Sequence, residues 1–170
     1  MKEKGEIINK VDQSGLITLN LEDYYDQGRR VFIDLKDHLT EGLILRERDF
    51  RNFVKSNDWS QYKDSHVAID ITSDAIVPAW AFMLVATAVS PFSKTVVKGT
   101  LEDLNKHLYT SALKNIDLTE LKDKFVIVKG CSKVPVPESA YVELCALIQP
   151  VVKTLSYGEA CSKVPLFKRH

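Results

Sequence analysis

From His66 onward, four short β-branched runs alternate with stretches just long enough for helices, and few architectures accept that pattern. The runs are Val67-Ala-Ile-Asp-Ile71, Thr95-Val-Val-Lys98, Phe125-Val-Ile-Val128 and Val151 to Tyr157. The gaps between them predict helices over 78–88, 101–113 and 138–148, with Pro78 suited to a first helical turn and Pro150 closing the last. A βαβαβαβ order implies parallel strands joined by right-handed crossovers, with helices on the faces of the sheet. The strands are apolar almost without interruption, as strands buried on both faces are. The expected fold is α/β, a mainly parallel sheet flanked by helices over 64–170, and 170 residues suit a single domain.

Residues 1–63 read as an N-terminal α+β extension that packs on this core. Leu16 to Leu19 and Arg30 to Asp34 are short strand candidates, the first preceded by the turn cluster Asp12-Gln-Ser-Gly15. Between Gly42 and Asp58, Leu45, Phe50, Phe53 and Val54 recur at helical spacing among charges, which predicts an amphipathic helix. Trp59 and Tyr62 then cover an edge of the core. The helix from Pro78 is apolar nearly all round, through Ala79-Trp-Ala-Phe-Met-Leu-Val-Ala86. Such a helix lies under a second layer, which the first 60 or so residues can supply, or forms the seam of a homodimer.

Charge narrows the partners. The 23 basic and 23 acidic side chains cancel, so the chain lacks the broad field that draws a protein to nucleic acid or to an anionic membrane. The most apolar window, Ala75 to Val89, is interrupted by Pro78 and falls short of the roughly 20 residues that span a bilayer. The charged start Met1-Lys-Glu-Lys-Gly-Glu6 does not read as an export signal, and the expected location is the cytoplasm. Three cysteines in such a chain point to reduced thiols rather than a disulfide framework.

Function is expected at one rim. Each strand candidate from His66 onward is followed by a small polar cluster: Thr72-Ser-Asp74, Gly99-Thr100, Gly130-Cys-Ser132 and Gly158 to Ser162. In a single parallel sheet these share the carboxyl edge, where open α/β folds bind ligands and helix amino termini favour anions. Within it, Cys-Ser-Lys-Val-Pro occurs twice, at Cys131 to Pro135 and Cys161 to Pro165, and reads as two similar, proline-stiffened loops. A thiol near a lysine and a helix amino terminus can be a nucleophile, a persulfide carrier or a metal ligand. Cys131 and Cys161, joined by Asp74 and Glu159, with Asp70 and His66 as further donors, would offer a mixed set suited to zinc or iron. The competing reading makes Cys131 and Cys161 small buried residues in turns, and Cys145, amid Leu144 and Leu147, part of the core. A Ser-His-Asp set from Ser73, Ser132, His66 or His107 lacks a Gly-x-Ser-x-Gly elbow, and no dinucleotide or Walker phosphate loop is present.

The runs Gly42-Leu-Ile-Leu-Arg-Glu-Arg-Asp-Phe-Arg51, Asp74-Ala-Ile-Val-Pro-Ala-Trp-Ala81, Lys129-Gly-Cys131, Pro137-Glu-Ser-Ala-Tyr-Val-Glu-Leu144 and Gly158 to Pro165 resemble an uncharacterised bacterial family, domain of unknown function 2480, over nearly the full chain. The resemblance supplies no activity and no catalytic residues. It implies a setting beside iron-sulfur cluster assembly proteins as partners, and with it a metal- or sulfur-handling accessory role for Cys131 and Cys161. The alternatives are a non-catalytic scaffold or interaction domain working through the 78–88 helix or the amphipathic 43–54 segment, and an enzyme acting on a small anion at the helix termini.

Overall fold

A computed structural model describes residues 15–130 and 133–169, and they form two compact units. One, the inserted unit, is Asp26–Leu108; the other, the split unit, is made by the chain before and after it, up to Tyr25 and from Tyr109. The inserted unit has a three-stranded sheet in the order β2-β3-β4, with β2 Arg30–Asp34, β3 His66–Asp70 and β4 Thr95–Lys98 all parallel. The amphipathic helix α1, Glu47–Ser56, and the apolar helix α2, Ala79–Val89, close its core around Phe50, Trp59, Val67, Ile69, Ala81, Val85 and Val89. The split unit has a four-stranded sheet in the order β1-β5-β6-β7, with β1 Leu16–Asn20, β5 Phe125–Lys129 and β6 Thr154–Glu159 parallel and β7 Ser162–Lys168 antiparallel to β6. Helix α4, Glu138–Ile148, buries Ala140, Leu144 and Ile148 at i, i+4 and i+8 against Val126, Val128 and Leu155. Helix α3, Leu101–Leu113, crosses the boundary, and its Tyr109 and Leu113 belong to the split unit's core.

The chain is thus a mixed α/β protein with mostly parallel sheets flanked by helices, as the alternation from His66 implies. The four runs do not share one sheet, however: β3 and β4 lie in one, β5 and β6 in the other. The strands ahead of residue 63 explain the division. β3 and β5 are buried along most of their length and need a neighbour on each side, and β2 and β1 supply it.

From Phe50 to Lys98 the inserted unit matches Tyr109 to Tyr157 of the split unit, residue for residue, at the one offset that carries Pro78 onto Pro137. Both prolines cap an 11-residue helix with nearly the same backbone, φ −62° and ψ 145° against φ −69° and ψ 144°. Asp64 and Asp123 both take a left-handed φ, 57° and 58°, which aspartate tolerates better than most residues. Their N–H groups donate to the corresponding carbonyls of Phe92 and Val151, at 3.0 and 2.9 Å. Asp58 accepts from the Ser60 N–H and Asp117 from the Thr119 N–H, at 3.0 and 2.8 Å. Phe50 on α1 and Tyr109 on α3 occupy matching core positions, each 1% exposed. β1 and β2 match as well, since Asn20 and Asp34 each cap a 3-10 turn by accepting from the N–H two residues on. Among the described strands, β7 is the one without a counterpart.

Candidate functional site

β7 creates a broad concavity. In the split unit, α4 covers β5 and part of β6, and β7 carries the sheet beyond it. The result is a cleft of about 580 Å³ between Tyr141, Val142 and Cys145 of α4 and Val128, Tyr157, Val164 and Leu166 of the sheet. Strand pairing places Val164 opposite Tyr157, so both present their side chains to the same face. Apolar side chains stand open to solvent here: Val142 is 69% exposed, Val164 58%, Leu166 51% and Tyr157 41%. Tyr141 and Tyr157 meet edge to face at 5.9 Å and 78°. Tyr157 also sits over Gly130, where a β-carbon would fall 2.5 Å from its hydroxyl, so a side chain at residue 130 would displace the ring. Glu138, in the first turn of α4, is the charged residue of the lining, and its carboxylate complements the helix dipole. Burial pushes the Cys145 thiol up, which keeps it protonated and apolar in character. It is half-buried at the margin of the core cluster, not inside it as its place beside Leu144 suggests.

The inserted unit has the same cleft in reduced form. Ile69, Phe82, Met83, Ala86 and Lys98 line a space of about 290 Å³, and these are the counterparts of Val128, Tyr141, Val142, Cys145 and Tyr157. Among the described residues, the inserted unit has no strand equivalent to β7 to supply a far wall. Lys98 stands 5.4 Å from the centre of the Phe82 ring and pairs with Asp70 at 2.9 Å. The second-layer expectation for α2 therefore holds on one side only: Phe50 of α1 packs on Trp80 at 5.9 Å, whereas Met83 remains 67% exposed.

The residues expected to hold a metal belong to different elements of the chain. Cys131, with Ser132, lies outside the described residues. Cys161 is a free, exposed thiol in the turn between β6 and β7, and Glu159 at the end of β6 is ion-paired to Lys129 at 3.0 Å. Asp74 is in an exposed loop after β3, in the inserted unit. Among the described residues, no group of three or more histidine, cysteine, aspartate and glutamate side chains is placed to hold a metal ion. The clusters that follow the four strands do not lie on the carboxyl edge of one sheet, because β3 and β4 belong to one sheet and β5 and β6 to the other. Nor do the described residues of the two Cys-Ser-Lys-Val-Pro segments form similar loops. Lys133 to Pro135 form an irregular connection, whereas Ser162 to Pro165 are the first half of β7. Proline is admissible there because β7 is an edge strand.

The other titratable residues at strand ends act as structural pins. His66 is 3% exposed in β3, and its Nε2 lies 3.0 Å from Asp26. Asp34 accepts from both the hydroxyl and the N–H of Thr72, tying the end of β2 to the loop after β3. Burial pushes its carboxyl up, but the bonds from Thr72 and the Lys36 N–H outweigh burial and hold it below the ordinary aspartate value.

The sequence matches the family described as "Protein of unknown function (DUF2480)" over residues 5–169. No curated protein matches, and no solved structure does. Among the described residues, no helix is long and apolar enough to cross a membrane.

Proposed function

Because the chain belongs to this DUF2480 family, whose description assigns no activity, we propose from the geometry alone that it is a non-catalytic docking protein whose α4/β7 cleft receives an amphipathic helix of a partner protein. The observation that carries this reading is the row of exposed apolar side chains, Val142, Tyr157, Val164 and Leu166, around one open concavity. Exposed apolar groups gathered in a patch mark interaction sites, whereas scattered ones mark nothing. The dimensions suit a helix. Neighbouring strands lie about 4.8 Å apart, so β7 is about two strand spacings from β5, and helices packed side by side on a sheet sit about 10 Å apart. A helix lying beside α4 would complete the layer over β6 and β7. Its apolar stripe would meet Val164 and Leu166, and a basic side chain near one end would meet Glu138.

The solvatochromic dye Nile red tests whether the cleft binds apolar surface. The expected result is saturable fluorescence that Val142→Glu or Leu166→Glu abolishes while the melting temperature holds. No binding, or equal binding by the variants, contradicts the proposal.

A second reading keeps the thiols. β5 and β6 are neighbours, joined across their ends by the Lys129–Glu159 pair, and each leads into a Cys-Ser-Lys-Val-Pro segment. Sulfur or metal handling by Cys131 and Cys161 would use that adjacency, with zinc or iron as the ion. Elemental and persulfide analysis of untagged protein, beside Cys131→Ser and Cys161→Ser, tests it; an unloaded, unmodified wild type removes it.

A further inference from the structure

We infer that the chain forms a twofold dimer through the outer edge of β4, its strand pairing antiparallel with β4 of a second copy to make one continuous six-stranded sheet from the two inserted units. This surface is separate from the α4/β7 cleft and does not depend on that reading.

The internal likeness of the units is the starting point. β4 and β6 are counterparts, and the outer edge of β6 is covered by an antiparallel strand, β7. The outer edge of β4 ends its sheet. Gly99 donates its N–H to the Ile69 carbonyl at 3.0 Å, so by strand alternation the N–H and C=O groups of Val96 and Lys98 point away from β3. An edge that no strand pairs among the described residues is a template for pairing, and proteins guard such edges with prolines, lysines and bulges. β7, which ends its own sheet, has all three: Pro165, Lys163 with Lys168, and a register shift at Leu155/Ser156 of the ladder. β4, Thr95-Val-Val-Lys98, has neither proline nor bulge, and its lysine is drawn back to Asp70.

The choice of a second copy as occupant follows from symmetry and from the side chains. A twofold axis joins identical edges, and identical edges brought together by a twofold normal to the sheet are antiparallel, the arrangement that covers β6. An axis at Val97 places Val96 of one copy opposite Lys98 of the other, with their outward backbone groups bonding in both directions. In the split unit the residue opposite Tyr157, the counterpart of Lys98, is Val164. The second copy's Val96 would therefore stand where Val164 stands and supply the missing wall of the smaller cleft beside Phe82 and Met83. Shifting the axis to Val96 would set Lys94 against Lys98, two like charges directly opposite, which is unfavourable.

Sedimentation velocity on the full chain across about 1 to 100 µM tests the dimer, and amide hydrogen exchange on the same samples tests its seam. The expected result is a concentration-dependent dimer in which the Val96 and Lys98 amides gain protection with the dimer fraction. Lys98→Pro removes an outward N–H from each copy and should weaken the dimer at least tenfold. Trp59 and Trp80 fluorescence checks that the inserted unit stays folded; Val97→Asp, which sets two carboxylates across the axis, serves if the proline variant does not fold. A monomer at every concentration overturns the inference. So does a dimer whose Val96 and Lys98 amides exchange freely, which would place the seam elsewhere.

Discussion

Phe50→Ala probes whether the two cores stand apart. Phe50 is 1% exposed in the inserted unit, edge to face with Phe53 at 5.7 Å and with Trp80 at 5.9 Å. Truncating a buried phenylalanine to alanine costs about 3–5 kcal/mol through lost burial and the cavity left behind. The two aromatic contacts place this site toward the upper end. A unit of this size unfolds with a urea dependence of about 1 kcal/mol per molar, so the midpoint should fall by about 3 M or more. The assay is favourable because the chain's 2 tryptophans, Trp59 and Trp80, both lie in the inserted unit. Their fluorescence reports that unit, while far-ultraviolet circular dichroism reports both. In Phe50→Ala the fluorescence transition should move to low urea, and part of the dichroism, including that of α4, should persist to the wild-type midpoint. Loss of both signals together at one lowered midpoint would refute the reasoning, since it would mean the cores unfold as one.

Three further outcomes follow from particular contacts. Gly28→Ala should destabilise the inserted unit by about 1–3 kcal/mol in urea titration, because the added β-carbon would fall 2.5 Å from His66 Nε2 and 2.8 Å from Asp26 Oδ1. The Asp26 carboxyl is held below its ordinary value, chiefly by the Gly28 N–H and against a desolvation cost, with His66 adding to the effect. Its contribution is therefore present above the unfolded aspartate pKa and lost as pH falls through the depressed native value. Asp26→Asn should flatten the acid limb of the melting temperature against pH, and an unchanged limb would count against this pairing. In a Cys131→Ser background, iodoacetamide should modify exposed Cys161 well before Cys145, whose thiol burial keeps protonated. Mass spectrometry of the time course reads the order.

Much of the secondary structure was legible because its signals are local. The helix at 101–113 and the helix at 138–148 coincide with α3 and α4, since apolar spacing and the prolines at 137 and 150 mark their limits. Arg30 to Asp34 is β2, and Trp59 does cover the core edge. Sheet membership was not legible, because β-branched runs such as Val67 to Ile71 and Phe125 to Val128 say that a strand is buried but not beside which strand. The internal likeness is equally hidden. At the shared offset 12 of the 49 positions from Phe50 to Lys98 are identical, Pro78 with Pro137 and Pro91 with Pro150 among them, but they are scattered, and matching core positions hold different residues, as Phe50 and Tyr109 do. The cleft is not legible in the sequence for a single physical reason. Pro165 argues against a central strand, and only the sheet order shows that β7 is an edge where proline is allowed. The twin Cys-Ser-Lys-Val-Pro segments drew attention to the thiols, whereas the second copy matters to the cleft for the valine it places in β7.

The most direct test of the docking account is photo-cross-linking in cells from p-benzoylphenylalanine placed at Leu166. The account predicts adducts on one amphipathic helical segment of a partner, with a basic residue near the end that reaches Glu138, and predicts that Val142→Glu abolishes them. Absence of any adduct, or adducts of the same yield from a probe at exposed Lys55 or in the Val142→Glu background, would contradict it.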